Sequence, residues 1–133
     1  MYLSMLDNDA RHLFLNLEIY MSKVDGDFSD EEKMIIDAHC MEMHIDNNNY
    51  EPDMLRDEVF EKLNESLTKQ EKKIVFLELV GTILADRVYH DAERELTNRF
   101  SKLLDISDAE VDEAFSIIHD MKDVYERCAG YIK

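Results

Sequence analysis

The chain has 133 residues, of which 15 are lysine or arginine and 31 are aspartate or glutamate, so its formal net charge is −16 at pH 7. Such a negative field repels phosphate backbones and anionic lipid surfaces, which argues against a nucleic-acid-binding or membrane-surface protein. Apolar residues make up 45% of the chain, enough for a real core, and the length fits one domain over residues 1–133.

The chain has no sequence feature that predicts export or membrane insertion. Residues 1–7 contain neither a basic region nor a small-residue cleavage site. The longest apolar run, residues 74–85, is interrupted by Glu78 and falls far short of the ~20 residues that cross a bilayer. Cys40 and Cys128 are far apart and lack a CxxC spacing, which is typical of two reduced, buried thiols. We therefore expect a soluble cytoplasmic protein.

Apolar residues recur every three or four positions and the chain has only three glycines and one proline, which predicts an all-α fold. The first helix is expected to end near Val24, before the turn dipeptide Asp25-Gly26. The second begins at a capping box over residues 29–32 and ends in the run of short amide side chains at residues 46–49.

The third helix is expected to have Pro52 at its first position. A second capping box, over residues 68–71, opens a helix whose apolar residues from 74 to 84 point to nearly every side. This segment is therefore predicted to be the buried centre of the fold.

A fifth helix follows from the spacing of Leu96, Phe100 and Leu104. A third capping box, over residues 107–110, opens the sixth helix, for which Gly130 is the expected stop. The sequence thus predicts a single-domain bundle of six to seven helices.

Two halves of the chain match after a shift of 61 positions, which indicates an internal repeat of a helix-turn-helix unit. Acidic, aromatic and apolar positions all match in register. The matched pairs are Asp25 with Asp86, Phe28 with Tyr89, Asp30 with Asp91, Glu32 with Glu93, Ile35 with Leu96, Met43 with Leu104 and Ile45 with Ile106.

The acidic residues kept in both halves are candidate cation ligands. In the first half, Asp25 is also explained as a turn residue and Glu32 as a capping-box partner. In the second half, Asp86 and Glu93 are kept although the turn glycine and the capping serine are not. A site of Asp25, Glu32, Asp86 and Glu93 has only oxygen ligands, which favours calcium or magnesium.

These motifs resemble the tellurite-resistance TerB-like domain, a family that includes the amino-terminal region of DjlA-type co-chaperones. The resemblance rests on residues 24–26 and 29–32, on Leu84-Ala85-Asp86 with Glu93, and on residues 104–110. It implies a helical domain with two acidic turns and a divalent-metal-binding or sensing role in stress response or as a scaffold, with no known reaction. Arg87 stands where that family usually has glycine, so the second turn is expected to differ in shape.

Two other functions fit the sequence. A helical adaptor that binds other proteins, or a second copy of itself, would need no metal. A metal-dependent phosphohydrolase could use His90-Asp91 or His119-Asp120, but the further histidine ligands of such a site are missing and neither HExxH nor ExxH occurs. A softer cluster of His39, Cys40, Glu42 and His44 is better explained by core packing beside Met43. We therefore expect a non-enzymatic protein.

Overall fold

Six α-helices and one short 3-10 helix form the structure, a computed structural model that describes residues 1–24, 28–46, 49–84 and 91–133, without the side chains of residues 91–93 and 96. No strand occurs in these ranges, so the predicted all-α bundle is confirmed. After the 3-10 helix Leu3–Met5, the helices are α1 Asn8–Ser22, α2 Asp30–Met43, α3 Arg56–Glu65, α4 Lys69–Ile83, α5 Asp91–Leu103 and α6 Asp108–Tyr131. No helix within the described ranges is long and apolar enough to cross a membrane.

Three of the helices begin at the capping boxes that the sequence predicts. Ser29, Thr68 and Ser107 each accept a hydrogen bond from the backbone N–H three residues on, and the glutamate there reaches back to the cap. The caps recur every 39 residues, from 29 to 68 and from 68 to 107, so α2, α4 and α6 begin at even intervals along the chain.

Pro52 is not in a helix, because α3 begins only at Arg56, with Leu55 at its cap. The side chain of Asn16 on α1 holds the preceding loop: its Oδ1 accepts the backbone N–H groups of Asp53 (2.9 Å) and Met54 (3.3 Å). The prediction for Pro52 was wrong because these tertiary bonds hold residues 53 and 54 against α1 in a non-helical loop.

Gly130 does not end α6, which continues to Tyr131. Nothing lies within 4 Å of the position that a Cβ would take at Gly130. The prediction was wrong because Gly130 keeps a helical backbone and does not take the left-handed conformation by which a glycine ends a helix.

The core lies where α1 and α4 pack together. The N–H of Asp7, the α1 cap, donates to Glu71 in the first turn of α4, and Glu18 contacts Thr82 near the other end of both helices. α1 and α4 are therefore parallel and in register. Five apolar residues of α4 and seven of α1 are buried, so α1 shares the centre of the core with the segment that the sequence predicts for it, residues 74–84. The buried apolar residues are Ala10, Leu13, Phe14, Leu15, Leu17, Ile19 and Met21 of α1, and Val75, Phe76, Leu79, Val80 and Ile83 of α4.

α6 is parallel to α4 and longer. Lys73 pairs with Glu110 at one end, Ile118 packs beside Gly81, and the Lys122 ammonium donates to the carbonyl of Leu84 at the other end. α6 therefore reaches the end of α4 at about Lys122, and its later turns continue past the described helices of the bundle.

Candidate functional site

Of the four predicted cation ligands, only Glu32 has a described side chain. Asp25 and Asp86 lie outside the described residues, as does the side chain of Glu93. Glu32 is 6% exposed, and its Oε1 accepts from the backbone N–H and the hydroxyl of Ser29, both at 3.1 Å. The capping role of Glu32 is thus confirmed, whereas its approach to the other three acids stays a prediction.

The helices that lead into the two acidic segments end side by side. Because α1 and α4 are parallel and in register, Ser22 and Ile83 lie at the same end of the bundle. Residues 25–27 follow α1 and residues 85–90 follow α4, so the chain leaves both helices at that end. The parallel alignment required for the two segments to share a cation is therefore present in the described helices.

The softer cluster of His39, Cys40, Glu42 and His44 does not converge on one point. Cys40 is buried, and burial raises the pKa of its thiol to about 11, aided by the charges of Glu18 and Asp37. His44 is exposed at the carboxyl end of α2 in a left-handed conformation. Across the described side chains, no group of three or more His, Cys, Asp or Glu residues is arranged to hold a metal ion.

A group of ionisable and polar side chains lies instead inside the bundle. Glu18 of α1 is fully buried, and its Oε1 is 2.6 Å from Nδ1 of His39 on α2 and 3.1 Å from the hydroxyl of Thr82 on α4. Nε2 of the same imidazole lies 3.7 Å from Oε2 of Glu78 on α4. We call Glu18, His39, Glu78 and Thr82 the buried polar cluster. It joins three helices through one imidazole between two carboxylates.

Residues 1–3, at the start of the 3-10 helix, contact Glu78 of this cluster and the nearby Glu42. Oε1 of Glu78 accepts the backbone N–H of Tyr2 at 2.8 Å and lies 2.9 Å from the amine of Met1. The carboxylate of Glu42 on α2 accepts hydrogen bonds from the same amine at 3.0 Å and from the backbone N–H of Leu3 at 2.8 Å. The carboxylates of Glu42 and Glu78 therefore hold residues 1–3 against α2 and α4.

The charges of the cluster favour the imidazolium form of His39. Burial works to lower the pKa of His39, but the hydrogen bond and charge of Glu18, together with the charge of Glu78, outweigh it and raise the pKa above its usual value. Two buried oxygens have no hydrogen-bond partner in the described residues, Oε2 of Glu18 and Oγ of Ser22 one turn later on α1. The cluster is suited to holding a proton between helices.

His39 and Glu78 reach a cavity of about 420 Å³ at the α6 side of the bundle. Met121 and Tyr125 of α6 form part of its wall, and none of its described lining residues is a serine, threonine or cysteine. The lining is Met1, Ile35, His39, Glu78, Gly81, Ile118, Met121, Lys122 and Tyr125.

The sequence contained a signal for this cluster that we did not use. Glu18 falls four residues after Phe14 and three before Met21, which are core residues of α1, and Glu78 interrupts the longest apolar run. A charged residue at a core position is rarely buried unless it is paired. His39, on the apolar face of α2, is the partner that this rule demands.

Only one of the two alternative histidine pairs lies within the described residues. His90 lies outside them, as does the side chain of Asp91, and His119 and Asp120 are both exposed on α6. A metal-dependent phosphohydrolase would need further histidine ligands from neighbouring helices.

The second half of α6 is the other notable surface. Every residue from 123 to 133 is exposed, and several of them are large and apolar. Cys128 is exposed as well, so the expectation of two buried thiols was wrong for this one, since it lies on turns that no described helix covers. The exposed apolar residues are Val124 at 52%, Tyr125 at 70%, Tyr131 at 90% and Ile132 at 80%.

Comparison of the chain with protein-family models, with curated proteins and with solved structures found no match.

Proposed function

We propose that this chain is a non-enzymatic, acidic helical module that binds a divalent cation of the calcium or magnesium type at the end of the bundle where α1 and α4 terminate. The observation that supports this most is the parallel register of the two helices, fixed by the Asp7–Glu71 and Glu18–Thr82 contacts. Because of this register, the two acidic segments follow helix ends that lie side by side. The ligands we propose are Asp25, Glu32, Asp86 and Glu93.

The resemblance to TerB-like domains supports the same function. It suggests a sensing or scaffold role in a stress response, including tellurite resistance, in which the cation would change the stability or shape of the module. The net charge of −16 raises the local cation concentration, so that a site of modest affinity would still be filled.

The test compares thermal melts in EDTA with melts in added calcium or magnesium at constant ionic strength. An ion at a hundred times its dissociation constant adds ~2.7 kcal/mol to a native state that alone binds it, or roughly 10 °C for a chain of this length. The double variant Glu32→Gln with Glu93→Gln should lose most of that rise. Glutamine still serves in a capping box, so the fold is expected to survive the change.

Glu71→Gln with Glu110→Gln is the matched control. Both residues occupy the same capping position as Glu32, in α4 and α6, and lie at the opposite end of the bundle from the acidic segments. The control should keep the full response to the ion. If wild type and the Glu32/Glu93 variant respond equally, the ion acts elsewhere or by general screening, and the proposed site is wrong.

A metal-independent adaptor is the second candidate, and the exposed apolar half of α6 favours it. An adaptor's melting temperature should be the same in EDTA and in calcium or magnesium at constant ionic strength. Its partners would be other proteins that cover α6.

A further inference from the structure

One set of apolar residues on α6 follows the heptad spacing of a coiled coil. Starting from Ala114, they are separated alternately by three and four residues. We call them the α6 seam: Ala114, Ile117, Met121, Val124, Cys128 and Tyr131. The first residue is buried in the bundle, whereas the last three lie on the turns beyond α4 and are exposed. A seam of this kind is stable in water when a second helix covers it.

The charge of this segment points to a second copy of the chain as the covering partner. Residues 120–133 contain three acidic side chains, Asp120, Asp123 and Glu126, and three basic ones, Lys122, Arg127 and Lys133. They carry no net charge in a chain whose total is −16. Two copies would repel each other across most of their surfaces, but not here. A strongly basic partner would gain more by binding elsewhere on the chain.

The charges beside the seam also indicate how two copies would be oriented. Asp120 and Arg127 flank the seam on the same side, seven residues apart, and neither has an ion-pair partner in the part of the chain that the structure describes. When two such helices run antiparallel, the same flank of each helix faces the other. Asp120 of one copy then meets Arg127 of the second copy, and the pair occurs twice. In a parallel pair, this flank would face the side that bears Tyr125 and Ile132.

We propose that two copies of this chain associate through their α6 seams as an antiparallel, twofold-symmetric pair, with Asp120 of each copy opposite Arg127 of the other. In this register Met121 faces Val124 of the second copy and Ile117 faces its Cys128. Tyr131 of the second copy reaches Ala114, beside an apolar groove of about 160 Å³. This groove is lined by Lys73, Phe76, Leu77, Ile106, Glu110, Glu113, Ala114 and Ile117.

The first test measures self-association by sedimentation equilibrium over micromolar to millimolar concentrations, in EDTA so that the result does not depend on the proposed cation site. Arg127→Asp places like charges opposite each other and should weaken the dimer about tenfold or more. Combining Asp120→Arg with Arg127→Asp restores opposite charges in the antiparallel pair and should recover most of the wild-type affinity. Lys69→Asp, an equal change of charge at an exposed site in the first turn of α4, should leave the affinity within about threefold of wild type.

The second test uses the native Cys128 to fix the register. Ile117→Cys places a thiol opposite Cys128 of the second copy, and mild oxidation should give a covalent dimer that gel electrophoresis detects. Wild type should not cross-link, because its two Cys128 residues would be about eleven residues of helix apart, roughly 16 Å, whereas a disulfide joins Cα atoms ~4.4–6.8 Å apart. Rapid cross-linking of wild type through Cys128 would overturn the antiparallel arrangement.

Other results would overturn the proposal as a whole. If the wild-type protein stays monomeric up to millimolar concentration, the α6 seam is not a self-association surface, and a different protein would have to cover it. A dimer that survives Val124→Asp, an exposed change in the middle of the seam, would place the interface elsewhere. Thermal melts of each variant show separately that the fold is intact.

Discussion

Replacing His39 by glutamine tests whether the buried polar cluster stabilises the bundle by its charge. Glutamine keeps a hydrogen-bond donor near Glu18 but removes the cation from between two carboxylates that are 0% and 4% exposed. Losing one partner of a buried ion pair costs ~3–5 kcal/mol, and a retained neutral hydrogen bond returns ~1 kcal/mol. We therefore expect a loss of about 2–4 kcal/mol near pH 6, or roughly 7–14 °C in melting temperature for a chain of this length.

The pH dependence of the stability difference between wild type and His39→Gln shows whether the charge of His39 causes that difference. Because the pKa of His39 is raised in the folded state, its stabilisation is complete below ~pH 6.5 and is lost as the pH rises through the folded pKa. Urea unfolding followed by circular dichroism should show the gap between wild type and His39→Gln shrinking from pH 6 to pH 9. His12→Gln, on the amino-terminal half of α1, is the control and should give a small gap at both values. A His39 gap that stays constant or widens toward pH 9 would refute the argument.

Three further outcomes follow from the fold. Leu79→Ala, at a fully buried position of α4, should lower the free energy of unfolding by ~2–5 kcal/mol in urea titrations, because it leaves a cavity in the core. In the folded protein at pH 7.5, diluted to a concentration at which it is monomeric, a thiol reagent should modify the exposed Cys128 quickly. It should reach Cys40 only after unfolding, since Cys40 is buried and the pKa of its thiol is raised to about 11, and mass spectrometry of peptides would separate the two. Gel-shift assays at physiological salt should show no binding to single- or double-stranded nucleic acid, and micromolar retention of either would contradict the charge argument.

The parts of the fold that the sequence predicted well are those fixed by neighbours along the chain. Ser29, Thr68 and Ser107 each start a helix through bonds that span only three residues, so the pattern alone identifies them. Pro52 was misassigned because its surroundings are set by Asn16, which is distant in sequence. Gly130 was misassigned because glycine ends a helix only where it takes the left-handed conformation, and Gly130 instead stays within α6.

The site was harder to predict than the fold. The partners of Glu18 come from two other helices, at His39 and Thr82, and only the packing of α1 against both brings them together. Sequence periodicity did place Glu18 and Glu78 among core positions, but it does not say which residue neutralises them. Asp25 and Asp86 were chosen from the internal match, and the described helices support their approach only through the alignment of α1 with α4.

The capping boxes of α2, α4 and α6 determine the order in which we expect the helices to form during folding. A box closes within a single turn, so α2, α4 and α6 can nucleate before any long-range contact forms. α3 has no side-chain cap, and the loop before it is held only after α1 has docked through Asn16. The helices that carry boxes should therefore be structured early, in the folding transition state, and α3 should be consolidated late, with φ-values higher at Thr68 than at Asn16.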